Sequence, residues 1–87
     1  MVTTALIEKG NDGTFGIFTP DINHTIIGEG NTVEEAKADF KNSVKEMILS
    51  YMETGRELPH ELKDIQFVYK YDSSVYSIAE DLATIEI

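Results

Sequence analysis

One long amphipathic run limits what this chain can fold into. Val33, Ala36, Phe40, Val44, Met47, Ile48, Tyr51 and Met52 recur at steps of three and four residues. That spacing puts them on one side of an α-helix. Lys37, Asp39, Lys41, Lys45 and Glu46 take the other faces. The start is marked by Thr32 with Glu35 three residues on, a pair in which hydroxyl and carboxylate each satisfy an amide of the first turn. Glu34 and Glu35 also suit the positive end of the helix dipole. Gly55 is a stop signal, and Pro59 lies just beyond it. A single apolar helix face needs an apolar surface to cover, and short strands must supply it.

Those strands are separated by turn residues. "TTALIEK" at 3–9 is rich in β-branched and apolar types, and "GNDG" at 10–13 is a hairpin turn signal. "TFGIFT" at 14–19 reads as a second strand, with Phe15, Ile17 and Thr19 on one face and Gly16 and Phe18 on the other. Gly16 inside the strand suggests a bulge or a close approach by another element. Pro20 ends the ladder for want of an amide hydrogen, "PDINH" is a loop, and "TIIGE" at 25–29 is a short third strand. After the helix, "DIQFVYKYD" at 64–72 alternates Ile65, Phe67, Tyr69 and Tyr71 against Gln66, Val68 and Lys70, a strand with one buried face. The last stretch reads as a short helix over 74–82, with a final strand at "ATIEI" as the alternative.

The expected fold class is therefore α+β: a three-stranded antiparallel meander, the long helix packed on the sheet, a fourth strand and a short C-terminal helix. The expected core sets Ala5, Ile7, Phe15, Ile17, Ile26 and Phe67 against Phe40, Val44, Met47 and Tyr51. Leu6 competes with Ala5 and Ile7 for the inward face. With 87 residues the chain suits one domain spanning 1–87, and a core this small leaves no cleft between domains.

Composition narrows the function classes. The chain has no cysteine, which removes disulfides, thiol nucleophiles and thiolate metal sites. "MVTTALIEKG" has neither the basic start nor the apolar run of a signal peptide. No apolar run approaches the roughly 18 residues of a membrane span, and a cytoplasmic location is expected. Net charge is -9, unevenly placed. Residues 1–36 hold six acids and one base, 37–71 hold six of each, and 72–87 hold four acids and no base. Such a surface repels nucleic acid and anionic membrane and favours a basic partner, although it also serves plain solubility.

Catalytic patterns are sparse. His24 and His60 are the two imidazoles, too far apart in sequence to suggest a metal site, and both read as loop histidines with local hydrogen bonds. Asp12, Asp21, Glu29, Glu34 and Glu35 offer carboxylates for a divalent cation, but without regular ligand spacing. No phosphate-binding loop is present, and the helix entrance is acidic. Phe67, Tyr69 and Tyr71 resemble a base-stacking row, yet only Lys70 accompanies them, so packing explains them better. No catalytic residue, cofactor or metal is expected.

"DGTFGIFTPDI" followed by "GEGNTVEEAKADFKNSVKEMI" resembles the N-terminal domain of HicB-type antitoxins. That family shows a D-G-x-[YF]-x-[VA] hairpin, a P-D-L-P-G-C-like turn and a G-D-T-x-E-E-A helix start. Asp12, Gly13, Phe15, Pro20, Asp21, Gly30, Thr32, Glu34, Glu35 and Ala36 are the matching residues. The resemblance covers residues 3 to about 60, and the strand at 64–71 fits the family's element order. Asn23, His24 and Thr25 stand where the family has Pro-Gly-Cys, and Asn31 replaces a common aspartate.

The resemblance implies a degraded ribonuclease H-like fold without nuclease activity. It also implies a function, neutralising a small basic messenger-RNA-cleaving toxin of the HicA type by occlusion. Family members commonly add a DNA-binding segment. The acidic or neutral residues after position 71 do not resemble one, so the chain reads as a fragment or as a solitary domain with no direct nucleic-acid contact. Asp21, Glu29, Glu34 and Glu35 are the expected partner-binding residues, though capping accounts for Glu35 at least as well. Two other readings stand beside this one: a solitary self-associating domain, such as a homodimer joined at a strand edge, and a residual metal-dependent nuclease.

Overall fold

In a computed structural model that describes residues 2–72, β1 (Val2–Lys9) turns at Gly10–Gly13 into β2 (Phe15–Phe18). The turn closes because Asp12 accepts from the Thr14 hydroxyl at 2.6 Å and the Thr14 amide at 3.1 Å. Gly13 takes φ 85°, a left-handed conformation that glycine adopts without a Cβ clash. β2 leads through a loop into β3 (Ile27–Gly30), then α1 (Val33–Glu53), a 3-10 turn at His60–Leu62 and β4 (Gln66–Tyr71). Thr25 and Ile26, expected in the third strand, lie before it. The Ile26 amide is turned aside to donate to the buried Thr19 hydroxyl at 3.0 Å, which cinches the loop. The C-terminal helix read over 74–82 lies outside the described residues.

The fold class is α+β, with one long helix and a mixed four-stranded sheet of order β3-β2-β1-β4. β1, β2 and β3 pair antiparallel, while β4 lies beside β1 and parallel to it. The sheet is thus not a simple meander. α1 carries the chain from one edge of the sheet, at β3, to the connection that enters β4 at the other. A parallel neighbour requires such a crossover.

Capping follows the sequence with one change. Thr32 extends its backbone and its hydroxyl accepts from the Glu35 amide at 3.1 Å. The Glu35 carboxylate reaches one residue further back than expected, to the Asn31 amide at 2.8 Å. At the other end Gly55 takes φ 67°, its amide donates to the Met52 carbonyl, and the Arg56 amide donates to the Tyr51 carbonyl. That pair of bonds is the Schellman arrangement.

Ala5, Ile7, Ile17, Ile26 and Phe40 are fully buried, as expected. Phe15, Val44, Met47, Tyr51 and Phe67 pack against them half-buried. Phe40 stands at the centre, edge-on to Phe67 with ring centroids 5.0 Å apart. The helix is roughly 31 Å long against strands of roughly 13 Å for β2 and β3, so its first half takes the deepest positions and Met52 is left exposed. Ile22, Leu58, Leu62 and Ile65 complete the core from the connecting segments. Gly16 is neither a bulge nor a point of close approach, since its pairing is regular and a Cβ there would meet nothing nearer than 4.0 Å. The close approaches fall on β3. A Cβ on Gly28 would lie 2.5 Å from the Phe40 amide nitrogen, and one on Gly30 would lie 2.5 Å from that of Ala36. Among the described residues no helix is long and apolar enough to cross a membrane.

Candidate functional site: an acidic rim on an open sheet face

Side chains alternate along β1. Thr3, Ala5 and Ile7 are buried beneath α1, so Thr4, Leu6 and Glu8 point to the opposite face. Register extends this across the sheet. Leu6 pairs with Phe18, and Phe18 with Ile27. The next row is Glu8, Gly16 and Glu29. Among the described residues no element covers this face. Ile27 is 56 % exposed, and Leu6 and Phe18 are half-buried.

The two rows form one surface with two characters. A shallow depression of about 290 Å³ is floored by Phe18 and Ile27 and edged by Glu8 and Glu29. A second, of about 420 Å³, continues it toward the hairpin turn, past Gly16 to Lys9 and Asp12, so that one lysine stands among its three carboxylates. Gly16 has no side chain, so Glu8 and Glu29 flank a gap. They stand two strands apart, roughly 10 Å between backbones. A gap of that width between carboxylates, with an apolar floor beside it, suits a side chain with an aliphatic stem and a cationic head.

Glu29 lies on this face. Its own amide donates to the Asp39 carboxylate of α1 at 2.9 Å. Glu34 is exposed in the first turn of α1, close in sequence to the end of β3. Glu35 belongs to the same turn, but its carboxylate is held by the Asn31 amide. Glu34 and Glu35 thus belong to α1, on one side of the sheet, while Glu29 points to the other. Asp21 lies apart from both. It is exposed in the loop after Phe18, beyond the other end of β2.

Glu8 and Asp39 belong to this region and were not singled out from the sequence. Glu8 had a usable signal, since it alternates with Leu6. Asp39 had none, because its partner is a backbone amide ten residues away. Asp12 is committed to the turn. Its hydrogen bonds, first from the Thr14 hydroxyl and then from the Thr14 amide, hold its carboxyl below the usual aspartate range.

The histidines sit elsewhere. His24 pairs through Nδ1 with the Glu61 carboxylate, tying the 20–26 loop to the 3-10 turn. His60 is exposed at that turn. Among the described residues no three His, Cys, Asp or Glu side chains group to hold a metal ion. Compared with protein families, curated proteins and solved structures, the chain matches none.

Proposed function

We propose that this chain is an antitoxin-like protein-binding module of the HicB type, which neutralises a small basic messenger-RNA-cleaving toxin by occlusion and has no enzymatic activity of its own. One observation carries the reading: among the described residues no element covers the apolar row on the sheet that Glu8 and Glu29 edge, in a chain with net charge -9. A toxin that grips RNA is basic over its RNA surface. The long-range field of this chain would steer that surface inward. The apolar row would then hold it once water is expelled. Glu34, on α1 at the other side of the sheet, adds to the long-range field rather than to the rim. Asp21 stands apart from it and would contact the partner only if the interface wraps round the end of the sheet.

Co-expression of the chain with any small basic protein encoded beside its gene tests this. The expected result is a complex that protects cells from the neighbour's toxicity and weakens as salt rises. No complex at any salt would remove the reading. The exposed Ile27 and Val68 on the open face favour a second reading, self-association through that face. Light scattering showing a salt-insensitive dimer that buries Ile27 would favour it.

A further inference from the structure

The two edges of the sheet are unlike. At β3 the helix closes the edge, with Asp39 accepting from the Glu29 amide and Glu35 from the Asn31 amide. Among the described residues no strand pairs with the outer side of β4, and the pairing with β1 decides which main-chain groups face it. The Asp72 amide donates to the Ile7 carbonyl at 2.8 Å, and Ile7 is in register with Tyr71. In a parallel ladder the bonding residues of one strand alternate. Val68 and Lys70 therefore turn their main-chain groups toward β1, and Phe67 and Tyr69 turn theirs outward.

Side chains give that edge a chemical preference. On the helix side, Phe40, Val44, Phe67 and Tyr69 line an apolar groove of about 250 Å³ with Lys41 on its rim. Lys37, one turn before, lies over the Tyr69 ring at 4.6 Å. On the open side, Lys70 is exposed beside Val68. None of these three lysines pairs with a carboxylate among the described residues. An edge rich in lysine keeps identical copies apart, because a twofold pairing of β4 with itself would bring the lysines of both copies together. The same lysines attract the opposite charge.

We propose that the β4 edge accepts an extended acidic segment of another protein as a fifth strand. Phe67 and Tyr69 supply the main-chain bonds. Alternate apolar side chains of the segment enter the groove under Lys41, and the intervening carboxylates face Lys70. Lys70 is in register with Leu6 and so stands at the β4 end of the open-face row, but the groove and the outward main-chain groups of Phe67 and Tyr69 lie outside the acidic rim and do not depend on the toxin-binding reading. Nucleic acid fits it less well, because the remaining charge of the molecule repels phosphate and outward main-chain groups pair with a strand.

The test uses the full chain and two short capped synthetic peptides, one alternating glutamate with valine and one alternating lysine with valine. Amide hydrogen exchange at Phe67 and Tyr69 is followed with each. The acidic peptide is expected to slow exchange at both amides, and Lys70→Glu to weaken its binding about tenfold, the scale of one favourable charge contact reversed. The variant is checked for unchanged exchange at Ile7 and Ile17, which reports an intact fold. Equal binding of both peptides, or no protection at Phe67 and Tyr69, would overturn the proposal. So would displacement of the acidic peptide by a uridine oligonucleotide, or protection of both amides in a dimer of the chain alone.

Discussion

Gly28 and Phe40 fix how closely the helix lies on the sheet. A methyl group on Gly28 would run into helix backbone, which cannot rotate away as a side chain could. Gly28→Ala is expected to lower stability by about 1–3 kcal/mol, the usual range for overpacking a filled site. For a domain this size that is a fall in Tm of roughly 4–8 °C per kcal/mol, read by thermal unfolding. Gly16→Ala, with open space around it, should leave Tm within about a degree or two of the parent, since surface changes of this kind stay near 0.5 kcal/mol. Equal effects of the two would contradict the packing described. The sequence showed where glycines lie but not which of them the helix crosses. That depends on the register of β3 under α1, a contact across the fold. Asp12 gives a second residue-scale test. Its carboxyl pKa is lowered on folding, so its contribution to the turn is present above the usual aspartate range and is lost as pH falls through the lowered value. Thr14→Val removes the hydroxyl hydrogen bond to Asp12 and should raise the Asp12 titration midpoint, followed by carboxyl NMR. An unmoved midpoint would contradict the assignment.

The helix was legible as an element because its information is local. Thr32, the apolar spacing and Gly55 each act within a turn or two of themselves, and all three are realised. Thr32→Ala should cost about 1 kcal/mol, as the loss of an N-cap acceptor does. Fraying confined to the first turn of α1 in hydrogen exchange is its expected signature, and no change there would remove the cap from the account. The sheet was legible only in part. The hairpin and the three antiparallel strands follow from turns between neighbours in sequence. The place of β4 does not, because Gln66–Tyr71 could have paired at either edge. Its parallel alignment with β1 is set by where the long helix and the 54–65 connection deliver the chain. Ile22 and Leu62 were missed as core for a related reason: each is a lone apolar residue in a loop or short turn, with no period to reveal it.

At the scale of the whole molecule, the sequence carried the sign of the charge but not its arrangement. Counting acids over 1–36 suggested one acidic region. The structure separates Asp21 from Glu29, keeps Glu34 and Glu35 on the helix, adds Glu8 through strand register, and leaves Lys37, Lys41 and Lys70 beside β4. Among the described residues the sheet therefore has two edges of different sign and, between them, an apolar face that no element covers. Burial of that face beside carboxylates is what would convert long-range attraction into a lasting complex. Area supplies the hold, and charge supplies the encounter rate and the choice of partner.

The measurement that bears most directly on this account is the affinity of any small basic protein encoded beside the gene for the wild-type chain and for Glu8→Lys/Glu29→Lys, taken at low and moderate salt. The account predicts tight binding to the wild type that falls with salt. It also predicts at least about a tenfold loss in the double variant, as expected when two rim charges are reversed against a basic surface. Binding that ignores both the substitutions and the salt would contradict it.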